Sequence, residues 1–200
     1  HFVSTKKYLN RVKQLGENIK NIHNVGSLGV EAIKNTRLLT KKEIQNKLKI
    51  EFKKNNFLIT FHPETIYNKK TNLKNLKTFL ESLKKFRNTT FIFTGSGADI
   101  DYKSIYLEIK KFINKNPNSY FFKNLGHKYY FSLCRYVDIM IGNSSSGIIE
   151  MPSFRKWTIN LGVRQKGRIK AKSVINADFK KKELIKLINK LMIKKNNLFL

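Results

Sequence analysis

Four short apolar runs, each shut off by glycine or proline, constrain this chain more than any other feature: FLITFHP (57–63), TTFIFTG (89–95), YVDIMIGN (136–143) and WTINLG (157–162). β-Branched and aromatic residues follow one another there without the polar alternation of a half-exposed strand. Both faces of such strands must be covered, as in a parallel sheet. SYFFKN (119–124) is a weaker fifth run, and NIHNVG (21–26) is a possible first strand.

The segments between the runs are helical in pattern. Leu73, Leu76, Leu80 and Leu83 recur at three- and four-residue steps, which gathers them on one face. Thr40 and Glu43 form a capping box ahead of Ile44, Leu48 and Phe52. Ile105, Ile109 and Phe112 mark another face, and Leu184, Leu187, Ile188 and Leu191 the last. STKKYLNRVKQLG reads as a helix begun by Ser4. Strand and helix in alternation predict an α/β sheet covered on both sides. Residues 1–20 are expected to be the tail of a preceding domain and 21–200 a second domain, with a Gly-Ser turn at Gly26 and Ser27. HFVST, without an initiating Met, reads as the start of a fragment.

Charge raises one competing class. Lys and Arg number 41 against 13 Asp and Glu, for a net charge of +28, and such a balance is typical of nucleic-acid binders. The lysines of KKEIQNKLKIEFKKNN and FKKKELIKLINKLMIKK instead fall on amphipathic helical patterns, without Arg-plus-aromatic clusters, so no nucleic-acid partner is expected. The field still favours small anions. No apolar run approaches the roughly 20 residues of a membrane span, so no membrane partner is expected. The single cysteine, Cys134, fits a reducing cytoplasm. Neither it nor His1, His23, His62 and His127 has metal-ligand spacing, so no metal or cofactor is expected.

In open parallel sheets, ligands bind beyond the carboxyl ends of the strands. His62 stands at one such end, Thr94, Gly95, Ser96 and Gly97 at another, Asn143 to Gly147 at a third, and Gly162, Val163 and Arg164 at a fourth. GNSSSGIIE, from Gly142 to Glu150, combines small residues that admit an anion with hydroxyl donors. A helix beginning near Ser145 would add its N-terminal partial charge. Familiar motifs each miss: Gly142 and Gly147 have the P-loop interval, but Ile148 and Ile149 occupy its Lys and Ser/Thr places, and a hydrolase elbow needs a glycine where Asn143 stands. Glu150, on the first turn or two of that helix, is either a ribose ligand or a carboxylate favouring a helix N-terminus. His62 is either a site residue or a packed or capping histidine. Asp99 and Asp101 read as N-caps of the helix at 100–113.

With these residues in place, the chain resembles the C-terminal half of the hydrolysing UDP-N-acetylglucosamine 2-epimerases of sialic and legionaminic acid synthesis. NVGSLGVEAIKNT, LITFHPET, FTGSGADID, IGNSSSGIIEMPSF and INLGVRQKGR carry the resemblance in order and spacing, and the opening HF-ST-Y-RV-QLGE matches the end of that family's first domain. The resemblance implies a Rossmann-like domain, the second of a GT-B-like enzyme. It places Ser144 and Ser145 on the diphosphate, with Asn143 beside them, and Glu150 on the ribose. His62 falls beside the diphosphate and the anomeric centre, and Arg164 in the same pocket. Asn124, Leu125 and His127 flank uracil, and Ser96 lies near the nucleotide. Gly26, Ser27, Gly142 and Gly147 would serve as diphosphate-loop or hinge positions. Gly97 replaces an asparagine common in relatives.

The reaction so implied eliminates UDP through a glycal, adds water and reprotonates C2 on the opposite face, with the acid/base carboxylates in the first domain. The expected partners are a UDP-amino sugar, the UDP product and a second copy of the full-length protein, as dimer or tetramer. Three alternatives stand beside it. One is a UDP-N,N'-diacetylbacillosamine 2-epimerase; the others are a non-catalytic UDP-binding module and a retaining glycosyltransferase on the same architecture.

Overall fold

A computed structural model of the 200-residue chain describes residues 1–95 and 102–194. The chain divides into two compact units, His1–Arg37 and Leu38–Leu200. This division falls inside the segment that the sequence assigns to the second domain.

In the first unit, β1 (Phe2–Val3) pairs in parallel with β2 (His23–Asn24), and α1 (Lys6–Gln14) and α2 (Leu28–Asn35) accompany them. NIHNVG therefore contributes a two-residue strand to a separate sheet rather than a first strand of the main one. The cap of α1 is Thr5, whose side chain accepts from the Tyr8 N–H at 3.2 Å, and not Ser4.

The second unit opens with α3 (Lys41–Leu48), capped reciprocally by Thr40 and Glu43 as the sequence predicts. The main chain then alternates through β3 (Asn55–Thr60), α4 (Lys69–Leu83), β4 (Thr89–Thr94), α5 (Tyr102–Asn114), β5 (Ser119–Phe122), α6 (Gly126–Tyr136), β6 (Ile139–Gly142), α7 (Ser146–Ile149), a 3₁₀ turn at Met151–Phe154, β7 (Trp157–Leu161), β8 (Val174–Ala177) and α8 (Lys181–Ile193). All pairings in the six-stranded sheet are parallel, in the order β5-β4-β3-β6-β7-β8. This is the Rossmann-like sheet expected, with one strand, β8, that the sequence reading did not include.

Why the runs look uniformly apolar is plain from the two cores. Phe57 and Ile59, Phe91 and Phe93, Ile139 and Ile141 point to one face, where Leu76, Leu80, Ile105, Ile109, Leu184 and Ile188 cover them. Leu58, Ile92 and Met140 point to the other, against Ile44, Leu133 and Val137. Side chains alternate along a strand, and here each side finds a helix. Each fully buried Phe, Ile or Leu stabilises by about 1.5–3 kcal/mol. Among the described residues, no helix is long and apolar enough to cross a membrane.

Candidate functional site

The strand order turns around between β3 and β6: from β3 the chain steps outward through β4 to β5, then returns to β6 and continues outward through β7 to β8. Loops leaving two such neighbours diverge and open a crevice at their carboxyl ends. Gly142 closes β6 opposite Thr60, at φ 150°, and a Cβ there would lie 2.0 Å from the Thr60 carbonyl oxygen. Only glycine lets the two backbones approach so closely.

Asn143, the next residue, is fully buried. Its N–H donates to the Thr60 carbonyl at 3.1 Å. Its side-chain oxygen accepts from the His62 N–H at 2.7 Å, and its side-chain nitrogen donates to the His62 carbonyl at 2.8 Å. A side-chain amide thus adds one rung to the β3–β6 ladder after both strands have ended, and fixes the backbone that carries the half-buried imidazole of His62.

A cavity of about 410 Å³ lies at this end of the sheet, with His62 on one wall and Ser144 and Ser146 on another. Asn124, Leu125 and His127 line it from the β5 side. His127 stands in the first turn of α6 rather than in a loop, stacked at 5.4 Å on Phe131, and the Asn124 side chain accepts from the Gly126 N–H at 2.9 Å. Ser144 and Ser145 lead into α7, and among the described residues their backbone N–H groups donate to no protein acceptor. The Ser144 hydroxyl accepts from the Ser146 N–H at 3.3 Å.

Other expected residues fall elsewhere. The helix after the serines is a single turn, so Glu150 is its C-cap and the entry to the 3₁₀ turn, not a residue on the early turns of a long helix. Gly147 is a packing glycine, since a Cβ there would meet Thr158 Cγ2 at 2.7 Å. Arg164 donates from Nη1 to the Asn143 carbonyl at 3.2 Å, beside Gln165, whose Nε2 reaches the same oxygen at 2.8 Å. Gly26 (φ 79°) and Ser27, which precedes α2, belong to the first unit. Ser96, Gly97, Asp99 and Asp101 lie outside the described residues.

The turn at Gly162, Val163 and Arg164 directly follows β7, at the strand end where the sequence places it. Its N–H groups are already taken: Gly162 donates to Ala177 at 2.9 Å, and Val163 and Arg164 donate to the carboxylate of Glu64 at 3.1 and 3.4 Å. An internal anion, the Glu64 carboxylate, fills this turn.

Some lining residues escaped the sequence reading. Thr60 is one: it stands opposite Thr94, which the sequence already places at a strand end, and the two hydroxyls share a short bond at the cavity wall. Its signal was present, because FLIT ends on threonine just before the chain leaves the sheet, as FIFT does. Lys123, directly after β5, supplies an exposed cation. Tyr130 had no signal, since its aromatic neighbours on α6 read as core.

Tyr130 sinks its hydroxyl to 2.6 Å from Ser146 Oγ. Burial pushes its pKa well above the ordinary phenol value, with the charges of Cys134 and Glu150 adding to the shift. Burial first, and Glu150 second, likewise push the Cys134 thiol up. Both groups keep their protons in the folded chain while the unfolded chain releases them from about pH 9 for the thiol and pH 10 for the phenol. The unfolded state then binds fewer protons, so stability is whole below pH 9 and declines as pH rises beyond it, by about 1.4 kcal/mol per unit for each group. Urea midpoints at pH 8 and pH 10 should fall further in the parent chain than in Cys134→Ala. Equal declines would contradict the buried-thiol assignment.

Comparison with known proteins follows the same lines. The family described as UDP-N-acetylglucosamine 2-epimerase matches residues 1–198. The chain is 41% identical over 179 residues to the GDP/UDP-N,N'-diacetylbacillosamine 2-epimerase (hydrolyzing) of Campylobacter jejuni, covering 89% of this chain and 46% of that protein. It is 37% identical over 190 residues to polysialic acid biosynthesis protein P7 of Escherichia coli, covering 94% and 48%. The chain therefore spans about half the length of these relatives. In fold it is similar to the UDP-GlcNAc 2-epimerase of Neisseria meningitidis, solved bound to UDP-GlcNAc, with a TM-score of 0.69 at 16% identity over 99% of this chain and 53% of that one.

Proposed function

We propose, from the premise that this chain belongs to the UDP-N-acetylglucosamine 2-epimerase family, that its Leu38–Leu200 unit holds the UDP end of a UDP-amino sugar in the crevice between β3 and β6. The observation that carries this reading is the cavity where the strand order turns around, lined by His62 together with Ser144 and Ser146. The N–H groups of Ser144 and Ser145 suit a diphosphate, Lys123 adds charge, and His127 with Asn124 and Leu125 offers a flat edge to uracil. Glu150 and Arg164 complete the proposed nucleotide set.

The activity proposed for the whole protein is hydrolysing 2-epimerisation: UDP leaves C1 as the C2 proton is removed, and water then adds to the glycal. Negative charge grows on the departing diphosphate, so donors already aimed at it stabilise the transition state more than the ground state. His62, at the same mouth, is the proposed acid or electrostatic partner of that oxygen. A UDP-N,N'-diacetylbacillosamine substrate is the specific reading favoured by the Campylobacter jejuni relative at 41% identity.

Calorimetric titration of the chain with UDP should give saturable one-to-one binding. Ser144→Ala combined with Ser146→Ala should weaken it about tenfold or more, the loss of one to two charge-assisted hydrogen bonds. No heat with UDP, or an unchanged affinity in the double variant, would remove the reading.

A further inference from the structure

We infer that Glu64 is a positioning residue for this site, its buried carboxylate setting the 162–165 turn and, through Arg164, Gln165 and Asn143, the backbone that carries His62. The inference rests on the proposed UDP site for its functional meaning.

Glu64 is 2% exposed and two residues past His62, with Pro63 between them. Its own backbone is clamped by a buried amide: its N–H donates to Asn72 Oδ1 at 2.9 Å, and Asn72 Nδ2 donates back to its carbonyl at 3.0 Å. Asn143 does the same for His62 from the other side of the crevice. Two buried asparagines thus hold positions 62 and 64, and the ring of Pro63 restricts the residue between.

From that fixed base the carboxylate reaches the N–H groups of Val163 and Arg164, its partners among the described residues. Gly162 makes room for it: at φ 67°, any Cβ there would stand 2.2 Å from Glu64 Oε1. Successive N–H groups form a concave anion site, and this one is filled from within. An apolar side chain there would leave the N–H groups of Val163 and Arg164 without an acceptor. A carboxylate adds direction. It orients the turn whose next two side chains, Arg164 and Gln165, both donate to the Asn143 carbonyl, and Asn143 in turn holds His62. The charge of Glu64 is absorbed by N–H groups behind the turn instead of facing an incoming phosphate.

The test is Glu64→Gln in the chain, with ¹⁵N-labelled histidines. Glutamine keeps the shape and one acceptor oxygen but turns an NH₂ toward the N–H pair. The expected result is a cooperative melt, shifted imidazole signals for His62, unmoved signals for His23 of the first unit, and a UDP Kd raised about tenfold. Glu64→Asp, which keeps the charge and loses the reach, should behave alike. A folded Glu64→Gln with His62 signals unmoved and UDP affinity within about twofold of the parent would overturn the inference. So would parent-like behaviour of Glu64→Asp, or a Glu64→Gln chain that does not fold. Should the parent itself bind no UDP, the proposed function fails, while the His62 signals still report on the positioning.

Discussion

Gly142→Ala is expected to cost about 4 kcal/mol or more, a large share of the roughly 5–15 kcal/mol that holds a typical domain folded. The added methyl would sit 2.0 Å from the Thr60 carbonyl oxygen, and neither partner can retreat. β3 and β6 are the two central strands, with β4 on one side and β7 on the other, so separating them breaks the ladder through the middle of both cores. Overpacking of this kind costs about 1–3 kcal/mol and the φ of 150° adds strain of similar size. Gly167→Ala supplies the control. Gly167 has a positive φ of 83° but nothing within 4 Å of its would-be Cβ, so its cost reflects backbone strain alone, about 1 kcal/mol. Urea midpoints of the two variants and the parent decide the matter. A Gly142→Ala midpoint no lower than that of Gly167→Ala would show that the strands do not approach as described.

The second large effect is expected from Asn143→Ala, on stability and on ligand affinity together. Truncation removes two part-buried hydrogen bonds and leaves the His62 N–H and carbonyl without that partner. An unmet buried polar group costs about 1–3 kcal/mol, so a loss of about 3 kcal/mol is expected. The His62 segment then moves independently of β6, and UDP affinity should fall about tenfold or more. Asn143→Leu, which refills the volume, should rescue neither property, because the missing quantity is the amide and not its bulk. Recovery of stability by leucine would show that Asn143 acts by filling space.

The central strands were legible because both of their faces are buried, which leaves unbroken apolar runs with nothing else to be. β8 was not. Of its residues only Val174 is buried, while Asn176 is exposed and pairs its side chain with Asn160 of β7. An edge strand of 4 residues is too short to show a period. At the site, His62 and Ser144 could be found by position alone, since each follows a run that ends abruptly. Glu64 could not. Its meaning depends on Val163, 99 residues further along, and nothing local to HPET distinguishes a carboxylate folded under a distant turn from one left in solvent. For the same reason the sequence could not show that the turn at Gly162, Val163 and Arg164 is filled from within by an acidic side chain.

Cys134 is wholly enclosed, with its thiol pushed toward the protonated form. Alkylating dyes require an accessible thiolate, so the folded chain should ignore maleimides at neutral pH. A fluorophore or spin label can then be attached at one newly introduced cysteine on the cavity rim without first removing the native one, which opens ligand-induced motion there to direct spectroscopic observation.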